Sequence, residues 1–203
     1  MVWKLLVGCL CIALSVLLGS CNSHAEDVFI EQIGSGNSTA AVFTSGHDLK
    51  SEITQSGYNH HTSIEQIGVS NVANSNQSGS NNLANINQNG TGHTTQLTQS
   101  GSGNTAYINQ QGTGNYARAA QLGSNNDLRL NQSGHAHKFD LTQNGSNSYL
   151  KADQIGSRNE ITGTQQDHNS VAIEQNGNGM KAIIRGNEIE IRLEEHTSEL
   201  QSP

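Results

Sequence analysis

The chain has 203 residues, of which 4% are aromatic and 13% charged, and its formal net charge is −7. This composition excludes a thick hydrophobic core, and low hydrophobicity of this kind ordinarily indicates disorder. The acidic balance argues against nucleic acid as a partner.

Residues 1–25 have the pattern of a secretory signal peptide, with Lys4, an apolar run from Leu5 to Leu18 and a small-residue end at Ala25. We therefore expect cleavage before Glu26 and export of the mature chain. An alternative is a lipoprotein signal, in which Cys21 is lipidated and retained as a membrane anchor. All three cysteines lie in this segment, so a chain cut after Ala25 has neither a disulfide nor a catalytic thiol.

The rest of the chain is dominated by one repeat. Glutamines recur every eleven residues, and we call them the ladder glutamines: Gln55, Gln66, Gln77, Gln88, Gln99, Gln110, Gln121, Gln132, Gln143, Gln154 and Gln165. A turn glycine stands two residues after the first ten of them: Gly57, Gly68, Gly79, Gly90, Gly101, Gly112, Gly123, Gly134, Gly145 and Gly156. Such strict periodicity argues against disorder and indicates stacked units.

Positions +5, +7, +9 and +11, counted from each ladder glutamine, share one parity, which predicts a strand with one buried face. Between Gln55 and Gln165 this inward set holds no charged residue, whereas Arg129 and Lys151 have the outward parity. At +5 the repeat places asparagines that we expect to join the amide ladders: Asn71, Asn82, Asn104, Asn115, Asn126 and Asn159. The predicted core consists of Ile64, Ala84, Ile86, Leu97, Ala106, Ile108, Leu128, Leu130, Phe139, Leu141, Leu150 and Ile161.

An eleven-residue repeat also occurs in right-handed coiled coils. A glycine in every unit, at about 1 kcal/mol each, argues against a helix here. The sequence instead predicts an all-β fold, a two-sheet parallel β-solenoid of about seven coils of 22 residues, with each coil made of two strand-turn units. We assign residues 26–31 to a short N-terminal segment, 32–191 to the solenoid and 192–203 to a non-repeat tail.

The pattern Gln-x-Gly-x-x-Asn-x-Ala-x-Ile-x-Gln, as in Gln77 to Gln88, resembles the curlin repeat. The curlin family supplies the subunits of curli, the amyloid fibres of bacterial biofilms. This resemblance implies export through the curli secretion pore with its accessory proteins, and extracellular assembly with copies of itself and with a second curlin subunit. It does not distinguish a major subunit from a nucleating minor subunit.

The tail, residues 192–203, does not follow the eleven-residue repeat. Residues Glu194–Ser202 resemble the translation of a common sequencing adapter, and a polar helical cap or frayed end is the alternative.

No part of the repeat predicts a catalytic site or a cofactor. Carboxylates are scattered over the outward parity, as on a solvated face. His60, His93 and His137 replace asparagine at +5, and His135 with His137 resembles a metal pair, but we expect these rings to make hydrogen bonds at the corners and assign no metal ligand.

The function predicted from these features is polymerisation through open strand edges. The alternative is a monomeric solenoid that binds ice, a surface or carbohydrate. Ice binding would need a regular threonine row, and the outward threonines are irregular.

Overall fold

The computed structural model describes residues 2–8, 16–20, 27–34, 36, 38–186 and 188–193. These residues form strands and turns and contain no helix. The strands are β1 (Val2–Gly8), β2 (Val16–Ser20), β3 (Asp27–Ile33), β4 (Thr39–His47), β5 (Lys50–Tyr58), β6 (His61–Val69), β7 (Val72–Ser80), β8 (Leu83–Thr91), β9 (Thr94–Ser102), β10 (Thr105–Thr113), β11 (Tyr116–Ser124), β12 (Asp127–His135), β13 (Lys138–Ser146), β14 (Tyr149–Ser157), β15 (Glu160–Gln165), β16 (Ser170–Asn178), β17 (Met180–Gly186) and β18 (Glu188–Leu193).

Consecutive strands from β1 to β17 alternate between two sheets. The odd sheet has the order β1-β3-β5-β7-β9-β11-β13-β15-β17-β18, and the even sheet has the order β16-β14-β12-β10-β8-β6-β4-β2. Each strand up to β17 pairs in parallel with the strand one coil away. The predicted all-β, two-sheet parallel β-solenoid of about seven coils is therefore confirmed.

The repeat fixes the register between coils. Gln110 lies opposite Gln132 and Gly112 opposite Gly134, a separation of 22 residues. Near the ends the spacing changes by one residue, but glutamine still lies opposite glutamine: Gln32 pairs with Gln55, and Gln154 pairs with Gln175. The turns absorb the extra or missing residue.

A thin core lies between the sheets. The inward aliphatic residues from Ile30 to Ile184 form one continuous cluster that includes all twelve predicted core residues. Leu128 and Leu130 are buried, whereas more than half of the surface of the Arg129 and Lys151 side chains remains exposed. The alternation of buried and exposed residues therefore follows the parity of the sequence.

The turns depend on a left-handed residue at +4. Asn81 and Asn125 take φ near +55°, and Gly92 and Gly103 take φ of 68° at the equivalent place. Asparagine and glycine tolerate this conformation better than other residues. The eleven-residue period alone does not identify this position.

The two ends of the solenoid depart from the repeat. β15 has six residues where most strands have nine, and Asp167 stands opposite the turn glycine Gly145 at the normal spacing of the repeat. The turn that follows is one residue shorter, because Ser170 lies opposite Tyr149. The sequence predicts open edges, but β18 pairs antiparallel with the outer edge of β17. At the other end β1 and β2, which lie within the predicted signal peptide, pair with β3 and β4.

Among the described residues, no helix is long and apolar enough to cross a membrane. Residues 194–203, where the predicted adapter-like segment falls, lie outside the described residues.

Candidate functional site

Two uninterrupted ladders of glutamine side chains run along the solenoid, one in each sheet. In the odd sheet, Nε2 of Gln55 donates to Oε1 of Gln77 at 2.9 Å, and Gln77 donates to Gln99 at 2.7 Å. The same donation links Gln32 to Gln55, Gln99 to Gln121, Gln121 to Gln143 and Gln143 to Gln165, and, in the even sheet, Gln66 to Gln88, Gln88 to Gln110, Gln110 to Gln132, Gln132 to Gln154 and Gln154 to Gln175. The predicted ladder glutamines are all buried and all take part.

The second amide hydrogen of these glutamines ties the two sheets together. Nε2 of Gln110 also donates to the backbone carbonyl of Thr94 at 3.3 Å, and Gln121 donates to that of Thr105 at 2.8 Å, each at the start of a strand in the opposite sheet. A hydrogen bond of this kind contributes about 1 kcal/mol, and a buried carbonyl left without a donor costs about 1–3 kcal/mol. Each of these glutamines therefore links its strand to the next coil in the same sheet and to the start of a strand in the opposite sheet.

Buried hydroxyls at +7 add a third contact to some rungs. Oγ of Ser51 donates to Oε1 of Gln66 at 2.8 Å, and Oγ1 of Thr95 donates to Oε1 of Gln110 at 2.9 Å. Most other units carry Ala, Leu, Phe or Ile at +7. Serine and threonine on the inward parity were the signal for this contact.

One corner of each coil is held by a column of alternating asparagine and histidine: Asn71, His93, Asn115, His137 and Asn159. The backbone N–H of each member after Asn71 donates to the side chain one coil before it, as from His93 to Oδ1 of Asn71 at 2.9 Å and from Asn115 to Nδ1 of His93 at 3.3 Å. The side-chain N–H points the other way, to backbone carbonyls such as that of Gln111 from Asn115 at 2.9 Å. We call this set the corner column.

The opposite corner follows the same rule with fewer histidines. Oδ1 of Asn82 accepts from the backbone N–H of Asn104 at 3.0 Å, and Oδ1 of Asn104 accepts from that of Asn126 at 3.1 Å. His60 lies in this corner, and its Nδ1 is buried without a hydrogen-bond partner among the described residues. The predicted corner asparagines are therefore buried at the corners of both sheets.

His93 and His137 must be neutral to make the hydrogen bonds of the corner column. In His93, Nε2 lies 3.2 Å from the carbonyl of Asn89 and donates to it, so Nδ1 is left as the acceptor for Asn115. Burial lowers the pKa of His60, His93 and His137, partly offset by the backbone carbonyls that each ring faces. A proton on Nδ1 would place two donors against each other.

The turn glycines form two columns, one in each sheet, in which the backbone of successive coils touches. A Cβ added to Gly90 would overlap the carbonyl oxygen of Gly112, and the same overlap recurs at most of the other turn glycines. Their φ angles lie between 102° and 137° from Gly57 to Gly156, where side chains are strained. Gly145 differs, because the side chain of Asp167 faces it and accepts from the backbone N–H of Ser146.

The ladders end differently at the two ends. Oε1 of Gln32 is buried and lacks a hydrogen-bond partner among the described residues. At the other end the odd ladder stops at Gln165, because Gly186 occupies the next rung. The even ladder ends at Gln175, whose amide donates to the carbonyl of Glu160 at 3.1 Å and to no further rung within the described part of the chain.

The outer faces carry the charged side chains, and several of these form ion pairs. Lys138 contacts Glu160 at 2.8 Å in the odd sheet, and Lys151 contacts Asp153 at 2.8 Å in the even sheet. The Arg129 guanidinium lies between the rings of Tyr107 and Tyr149, 5.9 and 5.8 Å from their centroids. Exposed pairs of this kind contribute at most about 1 kcal/mol each.

Among the residues that the structure describes, no group of three or more His, Cys, Asp or Glu could hold a metal ion. His135 is exposed at the end of β12, whereas both ring nitrogens of His137 bind backbone atoms, at Ser133 and Asn159. The structure therefore does not bring these two histidines together as ligands. Outward threonines do not form a regular row, because Asn76 and Ala120 interrupt the series Thr54, Thr98 and Thr142.

The comparisons with known proteins agree with this geometry. The family model described as the curlin associated repeat matches residues 101–134, from the turn glycine of β9 to that of β12. No curated protein and no solved structure matches the chain. The matched segment follows the same pattern that recurs along the solenoid, so the chain contains the curlin associated repeat.

Proposed function

We propose that the chain is a secreted structural subunit that assembles head to tail into extracellular, curli-like amyloid fibres for biofilm matrix and adhesion. The curlin repeat belongs to a structural family, which is consistent with a protein that performs no catalysis. The observation that carries the proposal is the pair of glutamine ladders, in which every rung repeats the bonds of the one before it.

Energetics favour continuation of such a stack. A terminal coil whose edge is not covered leaves unpaired backbone N–H and C=O groups, and its last ladder glutamines have no further rung to bond. Docking a second copy in register pairs both, and because the contact is heterologous it does not close into a ring. The outer faces stay soluble through paired charges and polar residues, so growth is directed along the axis.

Fibre formation is tested with the mature chain, residues 26–203. The protein is diluted from denaturant, and assembly is followed by thioflavin fluorescence, electron microscopy and fibre diffraction. We expect fibres with a meridional reflection near about 4.8 Å, the strand spacing of the solenoid. A chain that stays monomeric for days at high concentration contradicts the proposal and favours the surface-binding or ice-binding class.

Export and partners are tested separately. Mass spectrometry of the extracellular protein should show an N-terminus at Glu26, whereas lipidated Cys21 at the N-terminus would establish the anchored form. We also propose that the curli secretion pore exports the chain and that a second curlin subunit co-assembles with it. Deletion of the pore should then retain the protein in the cell, and pull-down of the fibres should recover the second subunit.

A further inference from the structure

The solenoid contains an odd number of parallel strands. From β3 to β17 the odd sheet has eight strands and the even sheet has seven. One coil uses one strand of each sheet, so within the described part of the chain β17 has no even-sheet strand of its own coil. The position above β16 is therefore the next one that a continuing chain would fill.

A docking copy can meet this end in two ways. If its β3 lies on β17, its β4 falls two rungs above β16, and the even sheet is left with a gap one strand wide. If its β3 lies on β16, its β4 lies on β17 and neither sheet has a gap. The second arrangement turns each copy by half a coil relative to the one before it.

The inward residues of β3 and β16 match in the half-coil arrangement. β3 carries Val28, Ile30 and Gln32 at the places where β16 carries Val171, Ile173 and Gln175. Stacked in register, these strands would repeat the same side chains from rung to rung. The ladder ends are complementary too, because the amide of Gln175 still has a hydrogen to donate and Oε1 of Gln32 is the buried acceptor without a partner.

Outward charges favour the other arrangement. Placing β3 on β17 would bring Asp27 beside Lys181 and Glu31 beside Arg185, whereas the half-coil arrangement brings Glu31 beside Glu174. Exposed ion pairs contribute about 0–1 kcal/mol each. A missing strand leaves a row of backbone hydrogen bonds unmade, at about 1 kcal/mol each, and opens the core to water. The backbone effect is the larger of the two.

We propose that successive copies in the fibre are related by half a coil, with β3 of one copy on β16 of the next and β4 on β17. This inference rests on the proposed function. It requires β18 to leave the outer edge of β17, which β4 of the incoming copy then occupies. Each side of the fibre would present the odd-sheet and even-sheet faces of successive copies in turn.

Paired cysteines distinguish the two arrangements, because a chain cut after Ala25 has none of its own. Phe29 lies opposite Ala172 in the half-coil arrangement and opposite Ile183 in the other. Neighbouring strands are about 4.8 Å apart, which is within the Cα range of a disulfide. We compare Phe29→Cys/Ala172→Cys with Phe29→Cys/Ile183→Cys, both in residues 26–203, and use the single-cysteine chains as controls.

Fibres of each variant are first verified by thioflavin fluorescence and microscopy, then oxidised, dissolved in denaturant and run without reductant. We expect covalent multimers of more than two chains from the 29/172 pair, and nothing beyond dimers from the 29/183 pair and the single-cysteine controls. Multimers from the 29/183 pair, or from neither pair, overturn the half-coil arrangement while leaving fibre formation intact. Absence of fibres in the unmodified chain instead overturns the proposed function.

Discussion

The imidazole of His137 occupies the same place in the corner column as the side-chain amide of Asn115 one coil earlier. Oδ1 of Asn115 accepts the backbone N–H of His137 at 3.0 Å, and Nδ1 of His137 accepts that of Asn159 at 3.2 Å. Nε2 of the ring and Nδ2 of the amide both face the carbonyl four residues earlier. The neutral ring therefore reproduces the hydrogen bonds of asparagine, but unlike asparagine it can take up a proton.

We predict that acid weakens the assembled protein through these rings. Burial lowers the pKa of His93 and His137 in the folded state below the ordinary value of 6.5, so the unfolded chain binds more protons between the two values. The stability contributed by the neutral rings is fully present above pH 6.5 and is lost as the pH falls through this window, by up to about 1.4 kcal/mol per pH unit for each histidine. The neighbouring His135 lowers the pKa of His137 further, as the smallest of the causes that act on this ring.

The check is the guanidinium midpoint of fibre dissociation at pH 7.5 and pH 5. The double variant His93→Asn/His137→Asn should lose less stability in acid than the parent, because asparagine makes the same bonds without titrating. His135→Asn is the control, since this side chain is exposed, and it should keep most of the parent's pH dependence. Equal acid sensitivity in the parent and the double variant contradicts the prediction.

Replacing a ladder glutamine with glutamate should break both of its donations. In Gln110→Glu, Oε1 of Gln132 and the carbonyl of Thr94 lose their donor, and a carboxylate is buried between amides. Two groups left without a donor cost about 1–3 kcal/mol each, and the buried charge adds to this. Gln111→Glu is the matched control, because this neighbouring side chain is exposed on the outward face.

We expect Gln110→Glu to slow fibre growth strongly and to lower the dissociation midpoint at neutral pH, while Gln111→Glu behaves like the parent. Acidification should partly restore Gln110→Glu, because a protonated carboxyl regains one donor. Similar behaviour of both variants at neutral pH would show that the ladder does not direct assembly.

The two glycines at +2 and +4 of one turn should respond differently to alanine. In Gly90→Ala, the new Cβ overlaps the carbonyl oxygen of Gly112 on the next coil, so the strands must separate locally. Gly92 also has positive φ, but no atom lies within 4 Å of a Cβ built there, and Ala136 occupies the equivalent place in another turn with φ of 54°. Gly92→Ala should therefore cost about 1 kcal/mol, the price of one left-handed alanine.

We expect Gly90→Ala to lower the dissociation midpoint by several times more than Gly92→Ala. Both are measured on fibres grown from the same parent seeds, so that differences in nucleation do not enter. An equal loss for the two would mean that backbone conformation, and not contact between coils, sets the requirement for glycine.

The sequence was sufficient for the strands, the parity and the sheet pairing, because a period of eleven with charge on one parity leaves few alternatives to a stacked solenoid. The second donation of Gln110 to Thr94 could not be predicted, since it depends on how closely the two sheets meet at a corner. The antiparallel pairing of β18 was also missed. Its residues lack the glutamine and glycine that set the register elsewhere, so the repeat gives no information about them.

Two buried serines provide the sharpest test of hydrogen bonding inside the solenoid. Oγ of Ser75 is buried between Ile53 and Leu97 in neighbouring strands of the odd sheet and lacks a partner within the described part of the chain. Oγ of Ser51 is equally buried but donates to Oε1 of Gln66 at 2.8 Å. Ser75→Ala removes an unsatisfied hydroxyl and should raise stability by about 1–3 kcal/mol, whereas Ser51→Ala removes a made bond and should lower it by about 1 kcal/mol. The substitution is chemically identical at the two sites, so opposite shifts in the guanidinium midpoint can only come from the hydrogen bond. A loss of stability in Ser75→Ala would show that this hydroxyl has a partner in the assembled fibre.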